Sequence, residues 1–232
     1  MKIIRNTGLL LIIAFFFFGC GANSGIEGKL LDAKGQPMSG VKMIATQVQP
    51  VKGYEQFETT TGNDGSFVFP KVFPLADYII KPWSENWKTN VSVTVRSGSE
   101  KQVVKVPGSS LVVRFTLNND DIIVDSKTDL KWVSIAGRDV TWYSADKFAK
   151  EMKRGSYVDW KLPTRAELRT LYDYSLRTEY KIDPIFQFNS SIAWTSEGYD
   201  EKAAWGFSFD NGLEDWYKRD QTNCDRILLV RK

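Results

Sequence analysis

Two cysteines, Cys20 and Cys224, several clustered carboxylates and a large set of lysines and arginines are the groups with chemistry to offer in this chain, and histidine does not occur. Without imidazole there is no Ser-His-Asp or Cys-His nucleophile, no histidine-ligated zinc, and none of the commonest general base at neutral pH. Paired carboxylates and lysine remain the only familiar routes to catalysis. The sequence therefore predicts a non-catalytic chain that uses no cofactor and no structural metal. Its partners are to be sought among residues that bind.

Three groups of binding residues stand out. Lys147, Lys150, Lys153 and Arg154 fall at spacings that can line one side of a helix, a basic face suited to sulfate or phosphate, set against the simpler reading of a solvated polar face. Asp210, Asn211, Glu214 and Asp215 cluster in a turn and offer oxygen ligands of the kind calcium takes. Trp194, Trp205, Trp216 and Tyr217 could stack on sugar rings, although alternate strand positions send some of them into a core. Trp205 and Trp216 are the aromatic candidates. Trp83 and Trp87, in a loop with Pro82 and Asn86, form a weaker pair that would more simply cap a sandwich end.

The elements that must position these groups begin after a leader. Lys2 and Arg5 precede an unbroken apolar run over 9–18, too short for a bilayer that needs about 20 residues. Gly19 then stands directly before Cys20. This layout resembles the bacterial lipoprotein signal family, in which a dedicated peptidase cuts before a cysteine carrying a diacylglyceryl group. Phe17 and Phe18 depart from its usual Leu and small residue. The resemblance implies a signal peptide over 1–19, lipidation with palmitate-type chains at Cys20, and a tether over 20–24. Gly21, where an Asp would signal inner-membrane retention, favours the outer membrane of a Gram-negative envelope. Cys224 is then the single remaining thiol, and the core must stand without an internal disulfide.

About 210 residues follow, enough for one large or two ordinary domains. Apolar residues make up 42% of the chain and it holds 8 Trp, which predicts packed globular structure rather than disorder. A net charge of +3 is too near balance to suggest nucleic acid.

Residues 25–106 read as about seven short strands, at 26–31, 41–45, 57–61, 66–69, 78–81, 91–95 and 102–106, with Gly62-Asn63-Asp64-Gly65 as a hairpin turn. The residues from Glu27 to Asp32, the turn Gly35-Gln36-Pro37-Met38-Ser39-Gly40-Val41, the Thr60-Thr61-Gly62-Asn63-Asp64-Gly65-Ser66-Phe67 stretch and Pro74-Leu75-Ala76-Asp77-Tyr78 resemble the carboxypeptidase regulatory-like family. That resemblance implies a prealbumin-like all-β sandwich, used as a spacer or interaction module, with no catalytic residues.

Pro107-Gly108-Ser109-Ser110 has the composition of a linker, so 111–232 is predicted as a second domain. Its first helix should run over 145–152 with Ser144 as N-cap and Ala145, Phe148, Ala149 and Met152 inward. A second should begin after Pro163, where Thr164 and Glu167 make a capping box and Leu168, Leu171 and Tyr172 face the core. Seven short strands around these helices make the segment α+β.

Arg114-Phe115, Asp125, Thr128-Asp129-Leu130-Lys131-Trp132, Asp159-Trp160-Lys161-Leu162-Pro163-Thr164-Arg165-Ala166-Glu167-Leu168 and Leu229-Val230-Arg231 together resemble the C-terminal domain family of the collagen-like adhesin Lcl. The resemblance implies a C-type-lectin-like fold, a surface-adhesion role, sulfated polysaccharides among the ligands, and homotrimers. Members often carry a cysteine in the first helix and another near the last strand; the corresponding positions here are Ala149 and Leu229. The calcium-dependent sugar motifs of true C-type lectins are absent. The physics of the string itself is that of a clamp, with Pro163, Thr164 and Glu167 fixing a helix start and Trp160 available to pack beneath it. The function expected is an envelope-anchored binding or adhesion module for polysaccharide or a surface protein. The alternative is an assembly scaffold that contacts other envelope proteins.

Overall fold

The computed structural model describes residues 23–190, 192–222 and 224–232. The leader over 1–19 and the expected lipidation site Cys20 lie outside the described residues. No helix among the described residues is long and apolar enough to cross a membrane. The chain is mostly strand, arranged in several sheets.

The first eight strands are β1 (Ser24–Asp32), β2 (Lys42–Gln47), β3 (Gln56–Thr60), β4 (Ser66–Val72), β5 (Asp77–Trp83), β6 (Trp87–Lys88), β7 (Val93–Arg96) and β8 (Val103–Val113). Two sheets, ordered β4-β1-β8 and β3-β2-β5-β7, face each other as a sandwich. Alternation along the strands supplies the core: Ile26, Leu30, Phe67 and Phe69 from one sheet meet Met43, Ala45, Tyr78 and Ile80 from the other. The turn at Gly62–Gly65 forms as its residues predict, closed by Gly65 N–H on Gly62 O at 2.9 Å and Gly62 N–H on Ser66 O at 2.8 Å. Its flanking strands are not a hairpin pair, however. β3 joins β2 and β4 joins β1, so the turn carries the chain from one sheet to the other.

The expected linker at 107–110 is also different in the structure, because those residues lie inside β8. This strand pairs with β1 in parallel on both sides of Pro107, as Glu27 with Lys105 and Lys29 with Ser110, so that Gly28 alone faces residues 106–109. Proline lacks the ladder donor, and Gly108 and Ser109 both take positive φ, which makes the stretch a large bulge. A composition that breaks a strand at a linker also serves to bend one. Leu111 and Val113, assigned by sequence to the second domain, complete the sandwich core.

Beyond Arg114 come β9 (Phe115–Asn118), β10 (Ile123–Asp125), β11 (Lys131–Val140), helices α1 (Trp142–Glu151) and α2 (Arg165–Leu171), a 3-10 turn (Pro184–Phe186), β12 (Ala193–Gly198), β13 (Ala203–Phe207), β14 (Glu214–Lys218) and β15 (Cys224–Arg231). One sheet runs β15-β11-β10-β9-β6 and a second runs β12-β13-β14. The edge strand β6 comes from the sandwich, pairing Trp87 with Asn118 and Lys88 with Leu117. The Trp87 loop thus extends the second sheet instead of capping the sandwich. Thr89 Oγ1 bonds Phe115 O at 2.9 Å and Lys34 pairs with Asp129 at 2.5 Å, so several contacts join the two units.

Two core clusters hold this second unit. One gathers Phe115, Trp132, Phe186, Phe207 and Phe209 with Leu168 and Leu171 of α2. The other gathers Trp160, Leu162 and Trp194 with Ala145 and Ala149 of α1. Ala149 and Leu229 share this second cluster, so apolar packing occupies the place where the Lcl resemblance implies a crosslink. Trp160 packs there too, with α1, and not among the residues that hold α2.

Candidate functional site

α2 begins as its residues dictate. Thr164 Oγ1 accepts from Glu167 N–H at 3.1 Å while Glu167 reaches back to Thr164 N–H at 2.6 Å, a complete capping box that fixes the phase of the helix. That phase buries Leu168 and Leu171 and turns Arg165, the first helical residue, toward β12. Arg165 donates from its backbone N–H to Glu197 Oε1 at 3.0 Å and from Nε to Glu197 Oε2 at 2.5 Å. Its guanidinium lies 4.3 Å over the ring of Trp205, a cation on an aromatic face.

Across the ladder, Trp205 pairs with Trp216, which places both indoles on one face of the three-stranded sheet. Tyr199, from the turn between β12 and β13, meets the edge of Trp205 at 5.6 Å and stacks on Trp216 at 5.3 Å with planes 12° apart. Tyr199 and Trp216 keep 54% and 47% of their surface in solvent. The result is a three-ring platform in which Tyr199 and Trp216 are partly open to solvent, bordered by charge. Arg165 and Arg169 both pair with Glu214, and Arg165 also with Glu197, so two arginines balance two glutamates. Burial pushes the Glu197 carboxyl up, but hydrogen bonds from the Arg165 side chain and backbone outweigh it and hold the group below the usual carboxylate range. An electroneutral aromatic face suits sugar rings better than it suits an isolated anion.

The structure separates the other expected residues. α1 is capped by Thr141, three residues before Ser144, and ends at Glu151. Lys153 and Arg154 therefore lie beyond it, and Arg154 pairs with Asp121 at 3.1 Å. Lys150 pairs with Asp146 at 2.7 Å, which leaves Lys147 and Lys150 as the helical part of the expected basic face. Phe148, expected inward, stays outside the core cluster with 37% of its surface exposed, since Trp142, Ala145, Ala149 and Met152 form the packed stripe. Trp194 is core, its Nε1 donating to Val140 O at 3.0 Å. In the acidic turn, Asn211 caps Leu213 N–H, Asp215 caps Trp216 N–H and Glu214 is drawn into its arginine pairs. Among the described residues no group of three acidic or sulfur side chains is arranged to hold a metal.

Sequence reasoning missed Tyr199 and Arg165. The first stands alone in a polar turn, and the second sits in a motif whose evident work is helix capping. A groove of about 540 Å³ also lies on the sandwich between β4 and β3, but its lysines are paired, Lys29 with Asp64 at 2.9 Å and Lys105 with Glu27 at 3.9 Å.

The family model described as the Lcl C-terminal domain matches residues 121–231. Among solved structures, a DUF3823 family protein from Parabacteroides merdae is similar at 17% identity, with 52% of this chain and 68% of that one covered and a TM-score of 0.32. A candidate carbohydrate binding protein from Pseudomonas aeruginosa is similar at 21% identity, with 37% and 88% covered and a TM-score of 0.27. The C-terminal fragment of the pilus adhesin SpaC from Lactobacillus rhamnosus GG is similar at 10% identity, with 40% of this chain and 44% of that chain covered and a TM-score of 0.27. This chain thus spans less than half of the adhesin fragment. No curated protein matches the chain.

Proposed function

We propose that this chain is a non-catalytic polysaccharide-binding module, displayed on the outside of a bacterial envelope by a lipid on Cys20, with the sandwich as spacer and the aromatic platform of the second unit as binding surface. The observation that carries the reading is the Tyr199–Trp205–Trp216 cluster, in which Arg165 covers Trp205 while Tyr199 and Trp216 stay partly open to solvent. The match to the Lcl C-terminal domain supports it, as does the resemblance of that family to C-type-lectin-like adhesins. In this reading the second unit is C-type-lectin-like, the first carboxypeptidase regulatory-like, and the anchor faces the outer membrane.

The platform's balanced charge favours recognition of rings over recognition of sulfates. The full chain should be titrated against neutral, uronate-bearing and sulfated polysaccharides at low and high salt. Trp216→Ala should weaken binding by about 2 kcal/mol, roughly thirtyfold, as for an exposed indole at the centre of a contact. Absence of binding to every polysaccharide, with neighbouring envelope proteins captured by the anchored chain, would overturn this reading in favour of a scaffold.

A further inference from the structure

A second site in the C-terminal unit rests on different residues. Beside the start of β10 at Ile123, where β11 runs on past Ser134, a cavity of about 440 Å³ opens next to the 3-10 turn. Arg226, on β15, lines it with only 8% of its surface exposed. Its Nε donates to Asn189 Oδ1 and its Nη1 to Ser134 Oγ, both at 3.2 Å. Both acceptors are neutral, and Nη2 has no partner among the described residues. The neighbouring Asp225 carboxylate does not serve it, since Asp225 accepts instead from Asp139 N–H at 3.3 Å. Burial pulls the guanidinium below its usual range, yet arginine keeps its proton in proteins. Buried charges are ordinarily paired, so a guanidinium held by neutral acceptors is an unbalanced cation facing a cavity.

The wall adds a second cation. Arg154 also lines the cavity, and its carboxylate partner there is Asp121, which is largely exposed. Two arginines against one aspartate leave the charged wall with one net positive charge. Leu117 and Ile185 supply an apolar flank. We propose that this cavity binds the oxyanion head group of a small organic acid, a carboxylate or a sulfate ester, with Arg226 as the buried contact, Arg154 as the rim cation and the organic body against Leu117 and Ile185. The planar guanidinium fork matches such head groups.

Arg226 also ties β15 to the segment after the 3-10 turn through Asn189, so a purely structural role must be separated from a binding one. The full chain, isotope-labelled, should be titrated with sodium 4-methylpentanoate and sodium methyl sulfate at fixed ionic strength, with 4-methylpentan-1-ol as the neutral control. A saturable shift of the Arg226 Nε–Hε resonance is expected with at least one anion and none with the alcohol; which anion wins tells carboxylate from sulfate. Arg154→Gln, which leaves Arg226 and its bonds in place, should weaken the anion about tenfold, the worth of one charged hydrogen bond. Trp216→Ala should leave it unchanged, which makes failure here distinct from failure of the aromatic platform. No saturable shift up to roughly 50 mM of either anion, well above the ~1 mM constant expected for such contacts, would overturn the proposal. Equal affinity in Arg154→Gln and the parent would do the same.

Discussion

Asp125 offers the sharpest test of how the second unit is held together. Its carboxylate is fully buried and accepts four hydrogen bonds, from Arg114 Nε at 3.0 Å and Nη2 at 2.9 Å, from Lys127 N–H at 2.9 Å and from Thr128 Oγ1 at 2.9 Å. Arg114 in turn donates to Thr170 O at 2.8 Å, near the end of α2. Asp125→Asn keeps the volume and turns an amide N–H₂ toward a guanidinium that can only donate. Breaking a buried pair on one side costs about 3–5 kcal/mol, because the other charge is left behind. Arg114 is 23% exposed and retains its carbonyl contact, which places this case near the lower end, at about 3 kcal/mol. A chain of this size should then melt about 6–12 °C lower. Urea unfolding of the full chain, followed by tryptophan fluorescence and circular dichroism, measures the loss directly. Arg114→Met added to Asp125→Asn should cost less than about 1 kcal/mol more, because the pair is already broken. A loss below about 1 kcal/mol for the first substitution, or additive losses for the two, would refute the argument.

Gly28→Ala should destabilise the sandwich by about 1–3 kcal/mol in the same unfolding experiment, since a Cβ there would stand 2.6 Å from Val106 Cγ2 and 2.8 Å from Phe67 Cζ; an unchanged midpoint would mean that the β8 bulge relaxes freely. Glu197 carries a pKa held below its usual 4.5, so its contribution is complete above that value and fades as acid protonates it at lower pH. Stability should therefore decline as the pH drops below 4.5, the fluorescence of the Trp205 platform in the folded chain should change only at the lower pH where Glu197 takes up its proton, and Glu197→Gln should remove that part of the acid dependence. Cys224 is 1% exposed and burial pushes its thiol up, so it should resist thiol reagents in the folded chain and react once urea unfolds it; rapid labelling of the native chain would contradict its placement in the core.

Local features were legible in the sequence to the degree that their determinants are local. The capping box at Thr164 and Glu167 needs four consecutive residues, and all of it was written there. The turn at Gly62–Gly65 was equally plain, because Gly65 takes a φ of 73° and a Cβ there would meet Leu30 O at 2.5 Å. Which sheet each flanking strand joins depends on partners tens of residues away, and there the hairpin reading gave way. Pro107-Gly108-Ser109 shows the same limit from another side. The residues that end a strand in isolation remain in one when β1 pairs on either side of them. The start of α1 was misplaced because Ser144 and Thr141 are both competent caps, and the choice between them lies with Trp142, whose N–H reaches Arg219 O at 3.0 Å and whose ring reaches Thr195 O at 2.8 Å.

The aromatic platform depends on both kinds of information, and this bears on how the string around Pro163 should be understood. Trp205 and Trp216 were visible as candidates, but only the β13 to β14 register puts them side by side. Taken alone, Thr164 and Glu167 do nothing except satisfy backbone donors, which is why the string read as a clamp. The clamp nevertheless sets the rotation of α2, and that rotation is what lets one residue, Arg165, bond Glu197 with both its backbone and its side chain while covering Trp205. A helix begun one residue later would carry the next side chain about 100° around the axis and leave Trp205 without its cation. The capping box and the platform are thus one construction, with the local signal of the helix start fixing the geometry of a surface assembled from distant strands.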